Sequence, residues 1–279
     1  MGFIINPYMV VAADASVTPP FDDYGSPIIG YSMRKLDSSY SGSAIRVRED
    51  SGNAEADIGF DGDGNLDTSA LLSHTSSNSG FIVKWYDQSG NSQDLSQATT
   101  GSQPKIVNSG SVYEVNGKPA MLFDGSDDFL TNLAGAGFAG NTSEVNHYSV
   151  HSLVDVSPLA GGVLISSTTG SYEEYFIMHE TSTGAAQVNA GSPVYYKNGS
   201  VLADSNQNTV QAAFVTGSQS LASITDLNMR WFGSGSDFII GSSYVEVNFY
   251  GQEFLFWRAT NLPTQADVET NINSYFSIY

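Results

Sequence analysis

The sequence predicts an all-β fold, a mainly antiparallel sandwich with few helices, on three observations. Short apolar runs recur along most of the 279 residues, and turn dipeptides such as Asn116-Gly117, Asp124-Gly125 and Asn198-Gly199 separate them. Hydrophobic residues make up 41% and charged residues 14%, a balance suited to strands joined by polar turns. No fixed-period repeat appears, which argues against propellers and solenoids. The length fits one large sandwich.

Taken in order, residues 1–27 carry Pro7, Pro19, Pro20 and Pro27 between apolar patches. They read as an extended arm that docks on the same chain or on a neighbour through Phe3, Ile4, Ile5 and Tyr8. The sandwich domain then runs over 28–279. "PIIGYSMRKL" (27–36) and "SAIRVRED" (43–50) read as strands; in the second, Ile45 and Val47 alternate with Arg46 and Arg48. In so acidic a chain, Arg34, Lys35, Arg46 and Arg48 are expected to meet carboxylates.

"DTSALLSHT" (67–75) predicts a short helix capped by Asp67 or Thr68. Further strands are expected at 81–86, 104–107, 111–115, 119–124, 147–156, 162–167, 173–180, 193–197 and 201–204. The series continues with 210–216, 228–232, 237–241 and 246–257. A short C-terminal helix follows Pro263, with Val268, Ile272 and Tyr275 or Phe276 on one face.

Charge narrows the partners. With 29 acidic and 10 basic residues the formal net charge is −19, which repels phosphate backbones and anionic membrane surfaces. No segment approaches the ~18 apolar residues of a membrane span. The start, "MGFIINPYMVVAADA", lacks a cationic region and is interrupted by Asn6 and Pro7, so it does not read as a signal peptide. Cysteine is absent, which excludes disulfides, thiol nucleophiles and Cys-ligated metals.

Several motifs invite chemistry. "DGDGNLD" sets Asp61, Asp63, Asn65 and Asp67 at alternating positions, but EF-hand positions 6 and 12 hold Leu66 and Leu72. A looser calcium loop or a solvated turn remains. His147 and His151 share a strand face but stand ~13 Å apart, too far for one zinc ion, and no cofactor is expected. Asp127/Asp128, Glu173/Glu174, Glu246 and Glu253 supply carboxylates for glycoside hydrolysis, which needs a pair ~5–9.5 Å apart.

The corner "WYDQSGN" (85–91) either fixes a turn, with Trp85 packed inward, or offers a sugar-contacting shelf. The glycan-binding candidates are Trp85, Tyr86 and Asp87, joined by Tyr195 and Tyr196.

Four stretches together carry a family resemblance: "GYSMRKLDSSYSGSAIRVRED" (30–50), "ADIGFDGDGNLDTSALLSH" (56–74), "VKWYDQSGNSQDLSQATTGSQPKIV" (83–107) and "NGKPAMLFDGSDDFL" (116–130). In that order they resemble the catalytic-domain family of α-L-arabinofuranosidase B, which implies a concanavalin A-like jelly-roll β-sandwich. The closing strands and helix look similar to laminin-G-like sandwiches. In that family the nucleophilic glutamate lies on a strand comparable to "SPVYYKNGS" (192–200), where no carboxylate stands. The acid/base aspartate follows a strand resembling "FIIGSSYVEV" (238–247), where Ser242 and Ser243 stand instead. With both carboxylates missing, the resemblance implies a chain that is not an enzyme.

The domain type with an arm like "MGFIINPY" also resembles structural proteins of tailed bacteriophages. The expectation is therefore a non-enzymatic virion protein: a capsid decoration, head-fibre or tail-associated subunit. It would be homo-oligomeric, would bind other virion proteins and would adhere weakly to host or environmental glycans. One alternative is a glycoside hydrolase of the arabinofuranosidase type using Glu246 or Glu253. The other is a free carbohydrate-binding module.

Overall fold

The computed structural model describes residues 17–133, 138, 144–155, 162–169, 172–179, 193–204, 207–228, 237–241, 247–259 and 264–279. The arm residues Phe3, Ile4, Ile5 and Tyr8, and Glu246, lie outside them.

Two antiparallel layers make a jelly-roll sandwich. The first is built on the strand Asn248–Arg258, which pairs along one edge with Ile29–Ser32 and Met121–Asp124 and along the other with Glu144–Asp155. Gln219–Asn228 and Val194–Lys197 continue that layer outward. The second runs from Glu55–Ile58 through Ile45–Glu49, Gly80–Trp85 and Leu95–Ser96 to Phe129–Asn132, Asp237–Gly241, Gly162–Thr169 and Tyr172–His179. Lys105–Asn108 links the layers, pairing with Gly80–Trp85 on one side and Leu122 on the other.

The strand Asn248–Arg258 reads as a nearly continuous apolar run because both of its faces are covered. Phe254 and Phe256 point into the core between the layers with Trp85, Leu130, Phe238 and Ile240. Leu255 and Trp257 point the other way, onto the closing helix Gln265–Phe276 with its Val268, Ile272 and Phe276. That helix begins one turn as expected, with Thr264 accepting from the Asp267 amide at 3.3 Å. The helix Thr68–Thr75 likewise starts under an Asp67 cap, which accepts from Ala70 at 2.9 Å. The Asn198-Gly199 hairpin turns with φ of 50° and 78°, the paired positive angles of a type I′ turn.

Three local readings differ. Residues 207–213 form a helix rather than part of a strand at 210–216. Val210 and Phe214, both buried, are four apart, a spacing that suits a helix face and a strand face equally. Gln219–Asn228 is a strand that serine content hid. Its Leu221 and Ser223 face the closing helix, while Ala222 and Ile224 face the core. Within the arm expected at 1–27, residues 20–24 form a short helix with Pro20 at its start instead of extended chain. It packs on its own chain, Phe21 lying edge-on to Trp257 at 5.7 Å.

Of the four early cations, two meet carboxylates in close pairs. Arg46 is bidentate to the half-exposed Asp57 at 2.7 and 2.8 Å. Arg34 is buried and bidentate to Glu253 at 2.8 and 3.0 Å. Arg48 instead reaches the amide oxygens of Gln103 and Asn53, and Lys35 donates to the Ser38 carbonyl.

Removing the guanidinium leaves Glu253 as an uncompensated buried charge. Arg34→Ala is therefore expected to lower stability by about 3–5 kcal/mol in urea unfolding, with a further Glu253→Gln change recovering part of the loss.

Candidate functional site

The corner after Trp85 is a buried hydrogen-bond staple. Asp87 accepts from the Gly30 amide at 3.0 Å, from the Ser89 amide at 3.0 Å and hydroxyl at 2.7 Å, and from the Gln93 amide at 3.1 Å. Gln88 accepts from Leu36 N and donates to the Ser32 and Arg34 carbonyls. Trp85 is fully buried, tilted against Tyr31 and edge-on to Phe254, so its indole has no face for a sugar. Tyr86 is half-buried and donates to Asp57 at 2.7 Å; burial first and that bond second push its phenol up to about 12.

Tyr195 is buried, and Tyr196 is half-buried beside it. Among the described residues, their strand pairs with Ser200–Val201 and Gln219–Asn228, and no described pairing brings them to Trp85, Tyr86 and Asp87. These five residues do not form one shelf.

Glu253 is also ruled out as a reacting group. It is fully buried, with one oxygen shared by Arg34 and the Ser32 hydroxyl and the other bonded to Arg34. The "DGDGNLD" stretch forms a hydrogen-bonded turn: Asp61 accepts from the Asp63 and Asn65 amides, Asp67 caps a helix, and Asn65 accepts from Tyr275. His147 and His151 are core residues. His147 lies against Phe256 at 4.2 Å, and burial drives its imidazole down to about 3.

The carboxyl groups that do converge belong to the turn after Met121–Asp124. Among the described residues, Asp124, Asp127 and Asp128 bring oxygens within 4.8 Å of one another. The tight link "DGSDD" forces this: Asp124 accepts from Ser126 N, and Asp128 accepts from Asp124 N at 3.0 Å. Ser102 donates to Asp127 at 3.0 Å. Asp128 is only 8% exposed. Burial is the largest cause that raises its carboxyl to about 7, with the charges of Asp124 and Asp127 adding to it; the Asp124 amide and Lys105 oppose. Beside it lies a small cavity of about 150 Å³, lined by Phe81, Gln103, Lys105, Leu122, Asp124 and Asp128.

The turn abuts the end of the strand Asp237–Gly241. Phe129 pairs with Gly241, and a Cβ added at Gly241 would sit 2.6 Å from the Asp128 carbonyl. Gly241 holds φ at 81°, so the site needs both its missing side chain and its backbone freedom. Chemically, the turn offers a carboxylic acid that keeps its proton near neutrality beside two further carboxyl groups. The same oxygens make a donor set of the kind calcium takes. The sequence named Asp127 and Asp128 only as one pair among many; three acids within five residues of a tight turn was the available signal.

No protein-family model matches the chain, and no curated protein sequence matches it. Among solved structures, it is similar to a GH54 α-L-arabinofuranosidase soaked with a cyclic sulfate inhibitor, with a TM-score of 0.54 at 15% identity over 92% of this chain. It is also similar to an arabinofuranosidase complexed with arabinofuranosyl-α-1,2-xylobiose, with a TM-score of 0.56 at 15% identity over 93% of this chain. The chain spans 64% of the length of each of these structures. The likeness shows the arabinofuranosidase-like jelly-roll fold. It overturns the expectation of a non-enzymatic virion protein, because these neighbours are glycoside hydrolases and nothing points to a phage particle.

Two outcomes follow from the turn. The folded pKa of Asp128 lies above the unfolded one, so its contribution is full below about pH 4 and is lost as pH rises through about 7. Asp128→Asn should therefore gain stability relative to the parent between pH 5 and pH 8, by about 1–2 kcal/mol after solvent screening, read by urea titration at each pH. Gly241→Ala should displace the turn, seen as loss of the pH-7 carboxyl titration in NMR.

Proposed function

We infer that the chain is a glycoside hydrolase acting on α-L-arabinofuranosides, with Asp128 as its proton donor. The observation that carries this reading is the carboxyl held near pH 7 among Asp124 and Asp127, at the end of the strand resembling the family's acid/base strand. The fold likeness to arabinofuranosidases supports the substrate class. The family's own acid/base position follows Gly241, where this chain has Ser242 and Ser243. An acid supplied from the neighbouring turn would act from the adjacent backbone.

In this mechanism Asp128 gives its proton to the glycosidic oxygen as the bond to the anomeric carbon breaks. Asp124 or Asp127 presents a carboxylate to the developing oxocarbenium ion. The spacing favours the closer of the two glycosidase geometries, in which the second carboxylate attacks carbon directly and water later releases the sugar.

The test is release of 4-nitrophenol from 4-nitrophenyl α-L-arabinofuranoside and of arabinose from arabinoxylan. The parent should lose activity as pH rises past about 7. Asp128→Asn should lower kcat/KM by roughly 10²–10⁴ on arabinoxylan, and by less on the nitrophenyl glycoside, whose leaving group needs little protonation. Absence of release from both substrates by the parent would end the hydrolase reading.

A further inference from the structure

At the other end of the sandwich lies a larger cleft of about 590 Å³, lined by Tyr24, Gly25, Ser26, Pro27, Ile28, Asn91, Gln93, Trp257 and Arg258. That volume falls within the range of small-ligand sites, roughly 300–1,000 Å³. The strand Asn248–Arg258 fixes its distance from the acidic turn. Asn248 pairs with Asp124 at one end, and Arg258 lines the cleft ten residues later, roughly 30 Å along the strand.

Both walls are prebuilt. One hangs from the strand: Trp257 donates to the Gly25 carbonyl at 3.0 Å, and Ile28 N donates to the Phe256 carbonyl at 2.7 Å. The other is the Asp87 staple, which holds Gln93 by its amide, while Tyr31 donates to the Gln93 carbonyl. Asn91 ties the walls together, donating to the Pro27 and Ile28 carbonyls at 3.3 and 2.9 Å. A site held this way loses little entropy on filling.

The chemistry of the lining selects the ligand class. Asn91 and Gln93 use their side-chain N–H groups within the protein. Among the described residues, neither amide oxygen receives a hydrogen bond, which leaves two acceptors at the cleft. The exposed Ser26 hydroxyl adds a donor. Acceptors and a hydroxyl on a partly apolar wall suit a polyhydroxyl ligand. Among the described residues, the one charged lining residue is cationic, yet Asp23 and Asp267 lie close enough to act on Tyr24, which disfavours an acidic sugar.

We propose that this cleft binds a neutral oligosaccharide segment and anchors a polysaccharide at the end of the sandwich remote from the acidic turn. It rests on the hydrolase reading only for the choice of polymer. Anchoring remote from the cleavage site raises the effective concentration of polymer without touching the reacting bond.

The test uses the full chain, Ser26→Trp to fill the cleft and Gln93→Ala to remove one acceptor. Binding is read by affinity electrophoresis in arabinoxylan gels and by calorimetry with short xylo-oligosaccharides. Both variants should bind about tenfold more weakly, while release from the small nitrophenyl glycoside stays at the parent level. Unchanged binding by a folded Ser26→Trp protein overturns the proposal, as does a parent that binds no neutral oligosaccharide. If the parent binds, Ser26→Trp does not, and neither releases nitrophenol, the cleft stands and the hydrolase reading falls.

Discussion

The buried pair of Arg34 and Glu253 is the constraint on which the rest of the architecture depends. Glu253 sits on the central strand opposite Ser32, in register with the first strand. Arg34 grips it with two nitrogens and extends a third to Asn271 at 3.0 Å on the closing helix, with the Tyr275 ring 4.8 Å beneath the guanidinium. Asn271 in turn donates to the Thr18 carbonyl at 2.8 Å, which draws the start of the described chain to its end. A buried ion pair gains little net free energy over apolar packing, but it tolerates only one arrangement. Here it sets the register of the first strand and the seating of the helix together.

The second set of buried polar groups works from the opposite side of the same segment. Asp87 and Gln88 hold Gly30, Ser32, Arg34 and Leu36 through backbone bonds. Residues 30–36 are thus clamped between the corner and Glu253. Of the two readings of the polar-aromatic corner, a turn or a sugar shelf, the fold shows a clamp. By pinning the Gln93 amide it also shapes a wall of the large cleft.

The acidic turn shows how fold and chemistry part company. This chain keeps an arabinofuranosidase-like topology, yet carboxylates are missing where the resemblance looks for them. A function grafted on a fold belongs to its site residues rather than to its strand order. Asp128 differs from the other acids of this chain through its surroundings: a tight turn, Phe81 and Lys105 nearby, and two carboxyls it cannot escape. Glu253, one of the two acids named for the hydrolase alternative, is neutralised by an arginine 219 positions away in the chain.

By itself the sequence determined whatever depends on neighbours a few residues apart. The Asp67-capped helix, the closing helix with Val268 and Ile272 on one face, the Asn198-Gly199 hairpin and the strand through Ile45 and Val47 are all local, and so is the β-rich class they imply. Only the tertiary structure decided the roles of individual polar residues. Val210 and Phe214 fit either period, the serine-rich Gln219–Asn228 strand needed two covered faces to be stable, and Trp85 became core because Tyr31 and Phe254 close over it. Whether a carboxyl is a strut, a cap or an acid depends on burial and on which charges pairing brings beside it, and those partners come from distant segments. That is why Glu253 and Asp128 look alike in the sequence and differ in the fold.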